Sequence, residues 1–354
     1  MNDQLKTMVD KLQQITGKHK EINSYIGFRK CQTKLKDGKG MVQNIQKRPK
    51  EGIRVKCDES VLPFFRNLYS LVNVESVHSM SNTTDSVHVY IAQSQSHYSV
   101  KIKTDRRNCL IAGISEMPSG EVVIADCNNQ RVKLLNQKYK VIDHRGLPGC
   151  PLNLCYIAGN EVAVAVDDKS ALHEVHFLTV TKGQLQAVRK FTTDHPCSSV
   201  AHHQGQIYVG SGTALYLYTM DGHLKNKMYE DKSVDRTVYE CAVSPEGERF
   251  YVTNYSKHKL VTLDKDGQVL STLEDPELQR PSGLCVSPSG HVFVCGHVSN
   301  TMLQVDWEGR QKLATVARAV DGLLWPQSVR LSEHTSSLIV GNFNSDSILV
   351  VKLC

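Results

Sequence analysis

Six side chains invite a chemical reading: His202, His203, His258 and His297 as ligands or bases, with Asp126 and Asn254 beside them. Imidazole nitrogens and carboxylate or amide oxygens are common cation ligands, and imidazoles and carboxylates are the usual proton carriers in enzymes. A metal or acid–base centre would need several of them to meet at one level of the fold. The chain also carries 11 cysteines, an odd number, yet no CxxC, and Cys150 and Cys155 have no matching His or Cys pair downstream. A zinc site is therefore not expected. Cys241, Cys285 and Cys295 stand inside apolar runs and read as small buried hydrophobes. No GxSxG nucleophile motif occurs.

Whether the histidines converge depends on the elements that carry them, and these repeat. Cys241-Ala-Val-Ser-Pro-Glu-Gly247 is followed by Leu284-Cys-Val-Ser-Pro-Ser-Gly290, and an earlier copy reads Ser115-Glu-Met-Pro-Ser-Gly120. Each leads into a short apolar run: Glu121–Asp126, Arg249–Asn254 and His291–Gly296. The residue ending the second strand of each unit falls at Asp126, Val166, Ser211, Asn254, Gly296 and Asn342, at intervals of 40, 45, 43, 42 and 46. Further apolar runs follow most of these markers (Arg131–Leu135, Ala214–Tyr218, Lys259–Leu263, Thr301–Val305, Ser347–Val351), and several end in polar turns at Gly222, Gly267 and Gly309. Glycine there supplies the positive φ of a tight hairpin. A period of 40–46 residues built from four short strands is the signature of propeller blades.

The expectation is thus an all-β, six-bladed β-propeller over residues 77–354, with a solenoid or sandwich as the competing arrangement. The sixth unit runs out after its third strand. The strand 98–104, downstream of the run Ser86–Ala92, is expected to complete it and close the ring.

Composition narrows the function classes. The hydrophobic fraction is 40% and the net charge +6. Residues 1–60 hold 14 Lys/Arg against 7 Asp/Glu, the remainder 28 against 29. The positive excess therefore lies outside the ring, which weakens any argument from net charge to a nucleic-acid-binding propeller. No window of 18 apolar residues is present, so no membrane contact is expected. The polar start of the chain and the unpaired cysteines suggest a reducing, cytoplasmic setting.

Leu5, Met8, Leu12, Ile15, Ile22 and Ile26, with His19 in the gap, alternate at spacings of 3 and 4. That is a heptad seam. It predicts a helical coiled-coil segment over 1–46 that dimerises through residues 5–26, the alternative being a lone amphipathic helix lying on the ring. Residues 47–76 read as a basic linker and a short helix around Phe64–Val72.

The stretch Val123-Ile-Ala-Asp-Cys-Asn-Asn-Gln-Arg-Val132 resembles NHL repeats, with Asp126, Asn129, Arg131 and Val132 at the matching positions. With the coiled coil and linker before it, the chain is similar to the C-terminal half of tripartite-motif (TRIM-NHL-like) proteins. In that family a RING finger and B-boxes precede the coiled coil, and no Cys/His zinc spacing exists in this chain, so ligase activity does not carry over. What the resemblance implies is a non-catalytic ring that selects protein targets for a ubiquitin-ligase-type complex, and a dimerising coiled coil. No cofactor is expected.

The loops expected to touch a partner are those after the second strands, carrying Asp126, Asn129, Arg131, Asn254, His258, His297, Asn300, Asn342 and Asn344. Trp307, in the Asp306–Gly309 turn, is the one aromatic expected at the surface. The alternative is an RNA-binding ring, since some NHL rings resemble RNA readers. Its expected basic patch is Arg106, Arg107, Lys133, Lys138, Lys140 and Arg145, whereas Tyr216, Tyr218 and Tyr251 read as packing between blades. A remote alternative is a lyase or lactonase with a channel metal, as in some six-bladed relatives. Against it, only one of the six markers is charged, and the histidines do not recur at one repeat position.

Overall fold

Every blade in this protein is apolar on both sides, and the architecture follows from that. The computed structural model describes residues 88–354 apart from 169 and 333. Among them, 24 strands form six four-stranded antiparallel sheets, a six-bladed β-propeller. The expected coiled coil (1–46) and the linker with its short helix (47–76) lie outside the described residues. No helix among the described residues is long and apolar enough to cross a membrane.

The second strand of blade one, Val122–Asp126, is buried at every position. Successive side chains of a strand point to opposite faces. Accordingly Val123 and Ala125 pack with Val162, Val164 and Val166 of blade two, whereas Val122 and Ile124 pack with Ile339 and Ile348 of blade six. Six such clusters, one per pair of neighbouring blades, form the core. An unbroken apolar run, rather than an alternating one, is what a sheet covered on both faces requires.

The hairpin glycines take the positive φ that their turns require: +88° at Gly222, +80° at Gly267 and +68° at Gly309. Gly267 has a second reason to be glycine, because a Cβ there would lie 1.9 Å from the carbonyl oxygen of Met228 in the preceding blade.

Closure corrects one sequence expectation. The strand that pairs with Ser347–Leu353 is Ala92–Ser99, with Tyr98 opposite Ile348 and Ser99 opposite Ser347. Of the expected strand 98–104, only Tyr98 and Ser99 belong to it. Val100 and Ile102 imitate a strand's alternation, but Val100 is buried in the connector that leads into blade one, where its N–H donates to the carbonyl of Asp346 (2.9 Å). The true strand, Ala-Gln-Ser-Gln-Ser-His-Tyr-Ser, is mostly exposed. As the outermost strand of its blade it needs backbone pairing more than side-chain burial. Within the run Ser86–Ala92, Ile91 exchanges backbone bonds with Cys354 of blade six, and residues 88–90 cross blade five. The buried Gln304 side chain accepts from the Tyr90 N–H (2.9 Å) and donates to the His88 carbonyl (2.7 Å).

Each blade thus has two ends. One, the loop face, bears the loops between second and third strands and the connectors between blades. The other, the hairpin face, bears the hairpins, two in each of blades one to five and one in blade six. Excising residues 88–99 should leave Ser347–Leu353 as an open edge strand. The expected outcome is a thermal midpoint lower by at least about 5 °C, the response to a loss of roughly 2 kcal/mol in a domain this size, with concentration-dependent aggregation in light scattering. An unchanged midpoint would show that the ring does not depend on this strand.

Candidate functional site

The loop face of blades four to six carries a continuous aromatic array. It is built by a repeated backbone device. The residue one past the marker is Tyr255 in blade four, His297 in blade five and Phe343 in blade six. Its N–H donates to the carbonyl of a connector residue: Arg236 (3.0 Å), Arg280 (3.2 Å) and Trp325 (2.9 Å) respectively. These three acceptors all sit in the left-handed region, at φ +58°, +51° and +49°. The device therefore sets one side chain from a loop beside one from a connector, three times over.

The rings run in sequence around the face. Tyr239 stacks on Tyr255 at 5.0 Å between centroids, Tyr255 lies 5.9 Å from His297, His297 6.0 Å from Phe343, and Phe343 6.2 Å from Trp325. The guanidiniums of Arg236 and Arg280 lie 5.6 and 5.5 Å from the Tyr255 centroid, within cation–π range. Neither makes an ion pair among the described residues. Trp325 is 48% exposed and Phe343 41%, with Leu324 and Val298 open beside them. Burial, reinforced by the Arg280 charge, holds His297 below the usual histidine range against a hydrogen bond with the Pro326 carbonyl, so the ring is neutral near pH 7. Burial raises the Tyr239 hydroxyl to about 12, and it accepts a hydrogen bond from Gln327.

Most of the polar residues expected to contact a partner are instead what holds these loops. Asn300 accepts from the Trp325 N–H (2.6 Å), Asn342 bridges the Leu324 N–H and the Gly322 carbonyl, and His258 Nδ1 accepts from the Arg280 N–H (2.9 Å). Asn254 and Asp126 are corrections, since both are fully buried. Asn254 caps its loop through the Lys257 N–H (2.9 Å). Asn129 accepts from the Arg106 and Arg107 N–H groups (3.1 Å each), and Arg131 donates to Thr104 (2.7 Å). Asn344 is exposed, and His297 lies within the array itself. Tyr239, Tyr255, Phe343, Trp325, Arg236 and Arg280 were not singled out in the sequence. The available signal was an aromatic immediately after three successive markers.

The expected basic patch does not form one surface. Arg106 and Arg107 lie in the connector on the loop face, and Arg145 lies at that same end of its strand. Lys138 and Lys140 lie in the Asn136–Lys140 hairpin on the opposite face. Lys133 is a clear correction, because it has no exposure at all. Its ammonium donates to Asp105 and Asp126 (2.7 Å each), to the Val100 carbonyl (2.9 Å) and to the Cys109 sulfur (3.3 Å). Asp105, Cys109 and Asp126 are the only described trio of metal-type ligands close enough to share an ion, and the lysine's own charge sits among them.

The other expected ligands are also separated. His202 and His203 end the inner strand of blade three, Ser199–His203, at the hairpin face, whereas His258 and His297 lie on the loop face. Trp307 is in the expected turn and 53% exposed, but on the hairpin face, with the Arg249 guanidinium 3.9 Å from its ring centroid.

No protein-family model matches the chain, and no curated protein matches it. Solved structures do. A virginiamycin B lyase from Staphylococcus aureus aligns at TM-score 0.52 and 12% identity, over 75% of this chain and all of that one. A streptogramin B lyase aligns at 0.53 and 10%, over 73% and 98%. A catalytically inactive form of the Staphylococcus aureus enzyme with quinupristin aligns at 0.53 and 12%, over 74% and 100%. At these identities the likeness is one of fold.

The Lys133 cluster has a testable electrostatic signature. Burial works to raise the Asp105 carboxyl, but hydrogen bonds from Lys133 and the Ile102 N–H, with the Lys133 and Arg131 charges, hold it below the usual carboxylate range. Burial likewise works to lower Lys133, and its bonds to Asp105 and Asp126 hold it above the usual lysine range. The depressed Asp105 adds stability above its unfolded value near about 3.9 and loses it as pH falls through the folded value; the raised Lys133 adds stability below about 10.4 and loses it as pH rises through its own folded value. Lys133→Met strands two carboxylates and should cost about 3–5 kcal/mol at pH 7. Protonation relieves that strain, so the gap to the parent should narrow toward pH 4.5 in denaturant titrations. An equal loss at both pH values would contradict this account.

Proposed function

We propose that the ring is a non-catalytic recognition module that binds a protein partner through the aromatic and arginine face of blades four to six. One observation carries the reading: half-exposed Trp325 and Phe343 stand in line with Tyr255, His297 and two arginines that have no carboxylate partner among the described residues. Tryptophan, tyrosine and arginine are the side chains most enriched where binding energy concentrates at protein interfaces. Apolar Leu324 and Val298 beside them suit an interface core. Loops on a rigid scaffold are where recognition residues collect, and here the Asn and His side chains between them hold the array in place.

The resemblance to tripartite-motif proteins extends the proposal. The partner would be a target presented to a ubiquitin-ligase-type complex in the cytoplasm, and residues 5–26 would pair two rings. A second reading has one specific observation in its favour: two guanidiniums flanking a stacked tyrosine also make a platform for a single-stranded RNA base. The lyase likeness adds no third reading, because the candidate histidines sit at opposite ends of the ring.

The test is quantitative co-purification of the full chain from cells, comparing the parent with Trp325→Ala/Phe343→Ala and with Trp307→Ala on the other face. Partners of this face should bind the double variant at least about 30-fold more weakly, the effect of losing about 2 kcal/mol, and should bind the Trp307 variant unchanged. Equal loss in both, or in neither, would sink the proposal. A crosslinked RNA band that disappears in Arg236→Glu/Arg280→Glu would instead favour the RNA reading.

A further inference from the structure

The inner strands place one residue of each blade at an equivalent register. Opposite the residue three before each marker stand Ser115, Cys155, Ala201, Ala242, Cys285 and Arg330. Five are small and one is the longest cation available. Where a ring of small side chains leaves the central channel open, Arg330 from blade six extends into it. Its charge is felt on opposite walls. Burial drives the Cys285 thiol of blade five up to about 12 and raises the Cys155 thiol of blade two as well, and the Arg330 charge works against both shifts.

Among the described residues, no carboxylate pairs with this charge. Arg330 makes no ion pair and no side-chain hydrogen bond among the described residues, and its Nε is buried without a partner. At the same register, the buried Ser115 hydroxyl also has none. The acid of the next tier, Glu240, bonds instead to Asn153 and the Leu284 N–H, and burial pushes it up to about 8. Arg330 instead lines a cavity of about 280 Å³ at the hairpin-face mouth, with His202, His203, Ser244 and Ser287. That is the space of roughly nine waters, at about 30 Å³ each. Burial keeps both histidines below the usual range, which leaves Arg330 as the fixed charge of the site. The nearby glutamates, Glu246 and Glu248, act on the His203 ring.

A partly buried guanidinium whose Nε is shielded without a partner lacks a counter-charge among the described residues, and its planar fork matches a carboxylate or phosphate edge. We infer that the lower channel is a binding site for a small oxyanion, a carboxylate or a phosphate, held by Arg330. The site lies at the end of the ring opposite the aromatic face, so it stands or falls independently of the partner reading.

The experiment uses the full chain at constant ionic strength. Inorganic phosphate and succinate are titrated separately while the thermal midpoint is followed, with sodium chloride as the control. At least one oxyanion should raise the midpoint saturably where chloride does not, and which one does so distinguishes phosphate from carboxylate. Arg330→Gln should weaken that response at least about tenfold, and Arg330→Lys should retain part of it. Should the glutamine variant fail to fold, phenylglyoxal modification of Arg330 in the parent, read by mass spectrometry, supplies the answer: the effective anion should protect it over the same concentration range. No saturable shift with either anion, a shift unaltered in Arg330→Gln, or no protection at Arg330 would overturn the assignment.

Discussion

Each blade must be covered on both faces, and nearly everything else in this structure answers to that requirement. A middle strand such as Val122–Asp126 sends alternate side chains into two different cores, so it gains its burial only if a neighbour stands on either side. An open row of six such sheets would leave two apolar faces in water, an area far beyond what a soluble surface tolerates. The ring is the arrangement with no uncovered face. Closure also explains the unusual connection at its seam, where the outermost strand of blade six comes from the residues ahead of blade one. The chain cannot open there without both unpairing a sheet edge and parting the cluster that joins Ile339 and Ile348 to Ile111 and Ile124.

Once the faces are spent on packing, polar chemistry is left to the ends of the blades and to the channel. At the seam, the first connector is anchored by charge as well as by the buried Val100 and Cys109: Lys133 reaches through the blade to Asp105 and Asp126, and Asp346 of blade six accepts the Cys109 N–H (3.0 Å) and pairs with Lys101. On the loop face of blades four to six the same connector-to-loop geometry recurs with a different use. The backbone bond from loop to connector is made every time, and what varies is the pair of side chains it sets at the surface. Blade one spends its version on a closed internal network. Blades four, five and six present Arg with Tyr, Arg with His, and Trp with Phe. A repeated scaffold thus carries unequal functions, because the backbone bonds do not depend on which side chains they display.

The channel obeys a similar rule. Six equivalent inward positions need only be small enough for the inner strands to approach one another, and serine, alanine and cysteine satisfy that. A single long residue can then occupy the space the others leave without disturbing the blades, as Arg330 does.

How much of this was legible in the sequence follows from which interactions are local. Turn glycines, strand runs and the 40–46-residue period are set by neighbours along the chain, so the six blades and their turns could be read directly. The closing strand was placed too far along because Val100 and Ile102 carry an alternation that a connector also produces, while the true strand is polar. Lys133 looked like surface because lysine almost always is, and only the folded chain brings Asp105, 28 residues upstream, to the same ammonium as Asp126. Asn300 and Asn342 were visible as loop residues, but whether they face a partner or brace the loop depends on connectors some 20 residues away. Beyond an aromatic after three successive markers, the aromatic array and the environment of Arg330 belong to the tertiary structure. Each gathers residues from blades far apart in sequence, and no local pattern determines which side chains meet across a ring.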